Sequence, residues 1–502
     1  MLFVTTFFVV AGCTKSDVLT SYEEVKEEEL VPLSFTPYIS TAGGEGATTR
    51  ADVDAFIYYG KANETNYYSK IPAYNQKRHD GGGTDDLAAG NDLKNNYIVG
   101  IFGYNYNNNY KYTTDNRMMK WYDFVTGRIP NDTITPNFMI NQPLRHTQWQ
   151  PNGGQEVWEY SPIKYWPNNN KSYNPEFKTN VVTFIAYYPF QDYQGKEYYL
   201  DGNNGKVDYR NNIIPPSNTA TGEDAYTFTF TQKEKPEEQI DFLMGINPDQ
   251  AKTSATISLK LQHALNAIQF GVLLEGLIKK DNTDQYEIQN ANTTGKANPA
   301  ISELDSIDEV DFKVNSITLK NVINSGKVYW TSNYSNKAYA ATPSLKWTLL
   351  EGEGYPRKDY TIDFTTGKNL DYQPKYRKYW NGSKYVAEYQ CLGDWRQLVQ
   401  KDYNAARNIL LVIPQNMTGY TLVVNFDLTY TYRGGGEPHT VSYKNITETT
   451  ALKNFGYTNP GYRIGANLKF HIHPINMDGS VGNWVDVDVE EIEPDDSNNQ
   501  TP

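Results

Sequence analysis

The sequence predicts an all-β protein, and three observations lead to this prediction. Tyrosine accounts for 41 of 502 residues, and aromatic residues reach 14% although hydrophobic residues are only 38%. Tyrosine suits the half-buried face of a β-sheet, because its ring packs while its hydroxyl stays hydrated. Short apolar or alternating runs are separated by clusters of Asn, Gly, Pro and Asp, without helical periods between them. This pattern is typical of antiparallel sheets packed as sandwiches.

The chain begins with an apolar run that ends in Val10-Ala11-Gly12-Cys13. This run resembles a bacterial lipoprotein signal, although no Lys or Arg precedes it. It is too short to span a bilayer, which needs roughly 20 apolar residues, so we interpret residues 1–12 as a signal peptide. The resemblance implies that Cys13 carries lipid. No later segment is apolar enough to cross a membrane, so we expect attachment through lipid alone.

Residues 13–50 are predicted to form an N-terminal arm that contains one amphipathic strand. Apolar and polar side chains alternate from residue 30 to residue 40, as in a strand that buries one face. The residues predicted to lie on the buried face are Val31, Leu33, Phe35 and Ile39. A Gly-rich stretch follows and ends in Arg50 and Ala51. We predict that a trypsin-like protease cuts between these two residues; an ordinary first strand and loop is the alternative.

The rest of the chain divides into two predicted β-sandwich domains, residues 51–250 and 251–489, and a polar tail, residues 490–502. The second domain is predicted to open with a long strand in which Ile257, Leu259 and Leu261 alternate with polar residues. The alternation slips after His263, which favours a β-bulge; a helix is the competing interpretation. His263 itself lies in an apolar context and is expected to be a hydrogen-bonded core residue.

The charge and the cysteine content argue against a nucleic-acid-binding protein and against a protein stabilised by disulfides. Lys plus Arg number 46 against 59 Asp plus Glu, a net charge of −13. Such an acidic chain disfavours phosphate backbones, so no nucleic-acid partner is expected. The chain has two cysteines, and with Cys13 acylated no intrachain disulfide can form. Cys391 lacks the signature of a catalytic thiol and is predicted to be a small buried residue.

The sequence offers little for catalysis. His471 and His473 share one strand face, but no Cys or carboxylate cluster completes a zinc site, so neither a metal nor a cofactor is expected. No nucleophile or phosphate-binding motif is present. The sequence alone cannot judge carboxylate pairs for glycoside hydrolysis, since their separation is set by the fold. Three tryptophan rings would fit either stacking on sugars or packing in a core: those of Trp121, Trp158 and Trp166. We expect a protein without enzymatic activity.

Several segments resemble the fimbrillin family, the subunits of Bacteroidales type V pili, and they occur in the family's order. The most specific is WEYSPIKYWPN at residues 158–168, and His263-Ala264-Leu265 matches the family's His-Ala-Leu motif. Tyr462 stands where the family pattern has Trp. The remaining matches are TTRAD, PNFMINQPL, VTFIAYYPF, DFLMG, VNSITLKNVINSG, LLVIPQNM, GYRIGANLKFHIHPI and GNWVDVDV.

The resemblance implies two tandem transthyretin-like antiparallel β-sandwich domains in a lipoprotein exposed on the outer membrane. It further implies that an arginine-specific protease removes the first strand and that a strand from another fimbrial subunit fills the groove. The product would be a fimbrium that adheres to host or bacterial surface ligands. A vacated sheet edge beside an apolar groove is a strong template for such strand addition.

The last predicted strand is a candidate donor for that groove. Val485, Val487 and Val489 alternate with acidic residues, and this apolar β-branched face suits a groove while the acidic face hinders self-pairing. The alternative is that the segment is the last strand of its own domain.

Two other functions compete with a fimbrial subunit. The first is a lipid-anchored glycan-binding protein of the outer membrane, which would use its Tyr, Trp and Asn loops to bind polysaccharide. The second is a β-sandwich glycoside hydrolase, which would need a carboxylate pair.

The lipid anchor leads to a first testable prediction. Changing Cys13 to Ser removes the acylation site, so the variant should move from the membrane fraction to the soluble fraction. Cell fractionation followed by immunoblotting measures this, with Cys391→Ser as the matched control that should stay membrane-bound. A Cys13→Ser variant that remains in the membrane fraction would contradict the lipoprotein assignment.

Overall fold

The computed structural model describes about half of the chain in detail. The described residues are 31–39, 58–59, 68–69, 98–105, 121, 125, 134–148, 157–167, 181–191, 212–236, 239, 241–275, 277–279, 286–288, 307–333, 342–366, 373–383, 385–392, 409–434, 437–452, 455–472 and 485–492. Their regular structure is almost entirely β, so the predicted all-β fold class is confirmed.

The strands follow the alternating runs of the sequence, and one 3-10 helix, Gly222–Tyr226, precedes β9. The strands are β1 (Phe35–Ile39), β2 (Tyr58–Tyr59), β3 (Tyr68–Ser69), β4 (Ile98–Asn105), β5 (Met139–Gln148), β6 (Val157–Glu159), β7 (Val181–Tyr188), β8 (Ile213–Ile214), β9 (Phe228–Thr231), β10 (Leu243–Ala251), β11 (Ile257–His263), β12 (Asn266–Glu275), β13 (Leu277–Lys279), β14 (Tyr286–Ile288), β15 (Ile307–Val322), β16 (Ser325–Asn333), β17 (Thr342–Leu349), β18 (Lys358–Asp363), β19 (Lys375–Trp380), β20 (Tyr385–Gln390), β21 (Ile409–Val412), β22 (Thr421–Gly434), β23 (Glu437–Ala451), β24 (Arg463–Ile472) and β25 (Val485–Ile492).

Four sheets contain most of these strands. Sheet 1 has seven strands in the order β1-β11-β10-β7-β4-β5-β6, and sheet 2 has four in the order β17-β16-β9-β8. Sheet 3 has the order β21-β12-β24-β25, and sheet 4 the order β20-β19-β15-β22-β23, with β18 also on β15. Most pairings are antiparallel, as the sequence predicts. Two are parallel, β1 with β11 and β12 with β24.

The central strand of sheet 1, β7, buries both of its faces. Phe184 and Ala186 point into the first core, which lies on one side of sheet 1. Ile185 and Tyr187 point into the second core, which sheet 1 shares with sheet 2 and with β21. A strand covered on both faces loses the alternation of polar residues, which explains the continuous apolar run in the sequence.

A third core lies between sheets 3 and 4. Sheet 3 contributes alternate residues such as Ile268 and Phe270 from β12, and sheet 4 contributes Phe312 and Phe426. The rings of Phe312 and Phe470 meet edge to face, with their centroids 4.8 Å apart. In β21, Leu410 packs into the third core whereas Leu411 packs into the second, so this one strand lies between two cores.

The predicted β-bulge after His263 is wrong, because the chain changes sheet there. β11 ends at His263 in sheet 1, and β12 begins at Asn266 in sheet 3. The two residues between them are held by distant partners: the Trp347 indole donates to the Ala264 carbonyl at 2.8 Å, and the Gly461 amide donates to the Leu265 carbonyl at 3.1 Å. The predicted strand conformation on both sides of the change is confirmed.

The predicted domain division at residue 250 stays a prediction. Strands from both predicted domains meet in sheet 2, where β9 pairs antiparallel with β16. Within the described part of the chain, no helix is long and apolar enough to cross a bilayer.

Candidate functional site

The predicted N-terminal strand lies where sheet 1 closes. β1 is one edge of the sheet and β6 is the other. Residues 31–33, just before β1, pair with residues 164–166, just after β6, through a bridge between Pro32 and Tyr165. Sheet 1 therefore curls around the first core until its two edges are joined, and residues 31–39 are the closing segment.

The second half of this segment is bound to β11. Phe35 lies opposite Ile257, Pro37 opposite Leu259 and Ile39 opposite Leu261, in a parallel register. The Ile257 amide donates to the Ser34 carbonyl at 2.8 Å. This bond sets the phase of the parallel ladder, so that the residues on either side of Phe35 carry the hydrogen bonds to β11.

The first half is bound on its opposite side. The Leu33 amide donates to the Lys164 carbonyl at 3.0 Å, and the Trp166 amide donates to the Val31 carbonyl at 2.9 Å. Near its start, the segment forms hydrogen bonds to residues 164–166 through one backbone edge. Further along, it forms hydrogen bonds to β11 through the other edge. Such a strand can be held by backbone contacts that do not depend on its own sequence.

The ladder phase explains how the segment accommodates two prolines. Pro37 is opposite Leu259, and the phase set by Ser34 and Ile257 directs its nitrogen away from β11. Pro32 is the central residue of the bridge whose bonds are made by its neighbours, so its nitrogen points away from Tyr165. Neither proline removes a ladder hydrogen bond, which is the condition under which proline is tolerated in a strand.

The side chains of the segment fill one end of the first core. Leu33 is 4% exposed and Phe35 is 2% exposed, while Val31 packs against the core and is partly buried. The Phe35 ring meets the rings of Tyr160 and Phe184 edge to face, with centroid distances of 5.7 and 5.2 Å. Pro37 is also buried, although the sequence argument did not include it. The side chain of Ile39 lies outside the described residues.

Tyr160 connects the segment to the loop after β6, and sequence reasoning missed it. Its hydroxyl donates to the Leu33 carbonyl at 3.0 Å and lies 3.3 Å from the Lys164 carbonyl, and it accepts from the Lys164 amide at 3.2 Å. Burial raises the pKa of Tyr160, although its hydrogen bond with the Lys164 backbone lowers that pKa in part. The hydroxyl therefore keeps its proton and remains a donor.

The structure describes some of the other predicted site residues and not others. Cys13, Arg50 and Ala51 lie outside the described residues. Val485, Val487 and Val489 lie in β25, which is an edge strand of sheet 3 and is paired antiparallel with β24 of the same chain. The proposed roles of all these residues stay predictions.

The aromatic and cysteine side chains singled out by the sequence are buried. The exposed fractions are 1% for Trp121, 7% for Trp158 and 2% for Trp166, so these rings belong to the core. Cys391 is buried, as predicted.

His263 is hydrogen-bonded, as predicted, and its partner is Asp241. The His263 Nδ1 atom lies 3.1 Å from the Asp241 carboxylate. Burial alone would lower the pKa of His263, but the charge and hydrogen bond of Asp241 raise that pKa above its usual value. The side chains of His471 and His473 lie outside the described residues. Among the described residues, no cluster of three or more His, Cys, Asp or Glu side chains could hold a metal ion.

Comparison with known proteins finds only distant structural similarity. No family model matches the chain, and no curated protein matches it. A protein from Parabacteroides distasonis, provisionally described as a cell adhesion protein, is 10% identical with a TM-score of 0.34, over 79% of this chain and 94% of that chain. A Bacteroides uniformis protein with the same description is 12% identical with a TM-score of 0.28, over the same shares.

A third structure comes from Bacteroides thetaiotaomicron and is provisionally described as polysaccharide-binding. It is 7% identical with a TM-score of 0.22, over 79% of this chain and 90% of that chain. Similarity at this level carries no argument about function, which has to come from the residues themselves.

The Tyr160 contacts lead to a second prediction. Changing Tyr160 to Phe removes the hydroxyl that bonds to Leu33, which should weaken the hold on residues 31–33 by about 1 kcal/mol. Amide hydrogen exchange at Leu33 and Trp166 should then quicken about fivefold, measured by mass spectrometry or NMR. Tyr165→Phe is the matched control, because the Tyr165 ring is 43% exposed. Equal protection in both variants would contradict a role for the Tyr160 hydroxyl.

Proposed function

We propose that this chain is a structural or adhesive subunit of a cell-surface fimbrium. It is anchored to the outer membrane through lipid on Cys13 and joins other subunits by exchange of a strand after cleavage at Arg50. The observation that carries the proposal is the closing position of residues 31–39, which complete the first core between β11 and residues 164–166. The order of fimbrillin-like motifs along the sequence supports it.

Removal of the segment would create an acceptor site of the kind that strand addition requires. Without residues 31–39, the hydrogen-bonding edge of β11 and the amide of Trp166 lose these partners, and the first core is uncovered where Leu33 and Phe35 had packed. Burying each of these side chains is worth roughly 1.5–3 kcal/mol. The vacated edge and groove therefore favour occupation by another extended strand.

In this scheme, cleavage at Arg50 removes the advantage that covalent linkage gives to the N-terminal segment. While the segment is covalently linked, it rebinds its own groove at a high effective concentration, on the order of millimolar. Cutting the link lets a strand from another subunit compete on equal terms. The partners of the chain are accordingly an arginine-specific protease and further fimbrial subunits, with host or bacterial surface ligands for adhesion, and no cofactor takes part.

The burial of three tryptophans argues against the rival proposal, a glycan-binding lipoprotein. Trp121, Trp158 and Trp166 are the rings that the sequence offered for sugar stacking, and all three are buried. A non-enzymatic role is proposed for the same chain on the grounds given by the sequence, in which no nucleophile or phosphate-binding motif points to catalysis.

The maturation step leads to a third prediction. The only Lys or Arg between residues 31 and 60 is Arg50, and Gly-rich segments are preferred sites of nicking. Brief treatment with low trypsin should therefore cut after Arg50 before other sites, as read by mass spectrometry. Arg50→Gln is the control and should delay the first cut. Early cleavage spread over other basic sites, with Arg50 spared, would contradict a switch at this bond.

The donor strand leads to a fourth prediction. If β25 is the donor, a chain truncated after Asn483 should fold as a monomer and fail to add to subunits cut at Arg50, because it has no strand to give. Circular dichroism and light scattering measure folding and assembly, with full-length cut chain as the control. If the truncation instead unfolds sheet 3, whose edge β25 forms, then β25 is a core strand and the donor must be another segment.

A further inference from the structure

The space occupied by the Phe35 side chain, here called the Phe35 place, is an enclosed part of the groove. Phe35 is 2% exposed and is surrounded by three separate elements. Phe184 of β7 lies 5.2 Å from it, Tyr160 lies 5.7 Å from it, both between ring centroids, and Ile257 of β11 is its partner in the parallel register.

The walls of this place are themselves held by other rings. Phe184 meets Trp166 edge to face at 6.1 Å and Phe138 at 6.4 Å, between centroids. Tyr160 is fixed by its hydroxyl bonds to Leu33 and Lys164. Walls packed in this way cannot collapse around a smaller side chain, so a smaller side chain leaves a void.

We propose that the Phe35 place selects the strand that fills the groove. The selected strand is an extended peptide with an aliphatic residue at the Leu33 position and phenylalanine two residues later. Valine at the second position leaves a void beside Phe184. Tyrosine there buries a hydroxyl among apolar rings, which costs free energy unless a partner is supplied. This inference rests on the proposed strand exchange, because it concerns which strand enters.

The selection gives the first strand an advantage over the candidate donor. β25 offers Val485, Val487 and Val489 on its apolar face, so a register that turns this face into the groove places at most a valine in the Phe35 place. The chain's own segment is therefore the better occupant of its own groove. A valine-bearing donor enters only after cleavage has allowed that segment to leave, which keeps uncut subunits from assembling.

Peptide competition in the chain cut after Arg50 tests the selection. The probe is a fluorescent peptide with the sequence of residues 30–40, displaced by unlabelled analogues. The Phe35→Val and Phe35→Tyr analogues should each need about tenfold more peptide than the parent for half displacement. The matched control, Thr36→Val, changes the partly exposed opposite face and should compete within about twofold of the parent. A peptide of residues 483–493 should compete like the valine analogue.

Equal competition by the parent and the Phe35→Val analogue would overturn the selection. If the parent peptide never enters the cut chain, the proposed strand exchange fails. The preference for phenylalanine is then tested by amide hydrogen exchange in the uncut full chain. There, Phe35→Val should speed exchange of the Ile257 amide, which donates to Ser34, about tenfold over the Thr36→Val control. Equal exchange in these two variants overturns the selection independently of assembly.

Discussion

β7 buries side chains on both faces, and the contacts of the N-terminal segment depend on this arrangement. Phe184 and Ile185, neighbours in sequence, pack into different cores. Because the second core covers one face of sheet 1, the first core has to be covered from the other side. Sheet 1 does this by curling until residues 31–33 reach residues 164–166. The N-terminal segment closes a core that other strands have built, so the core determines what fits there.

The proposed strand exchange requires a segment that is held firmly and can still be separated from its groove. It gains free energy from the burial of Leu33 and Phe35 and from backbone hydrogen bonds, each with a net value of about 0.5–1.5 kcal/mol. These contributions come from one end of the first core, and the second core contains no side chain of the segment. Local opening of such an edge costs less free energy than global unfolding. In the proposed scheme, a protease cut lowers the effective concentration of the segment at its own groove.

The sequence predicts which side chains of a strand face the core, but it does not predict which distant residues they contact. A period of two identified Leu33 and Phe35 as one buried face, because alternation depends only on neighbouring residues. It could not show that Tyr160, more than a hundred residues later, would bind the Leu33 carbonyl, since nothing local distinguishes that tyrosine from the others. The slip after His263 favours a bulge when only the sequence is considered, because a bulge and a change of sheet shift the alternation in the same way. The pairing of β12 in sheet 3 and the distant bonds from Trp347 to Ala264 and from Gly461 to Leu265 separate the two.

The positions of the groove and of the candidate donor determine what kind of assembly would form. The groove belongs to sheet 1, whereas β25 is an edge of sheet 3. A donor and an acceptor on different surfaces make a heterologous contact, which continues from one subunit to the next rather than closing as a two-fold dimer. Each added subunit brings one filled groove and one new donor. Where the rotation between successive subunits does not close a ring, an assembly built in this way would grow as a filament.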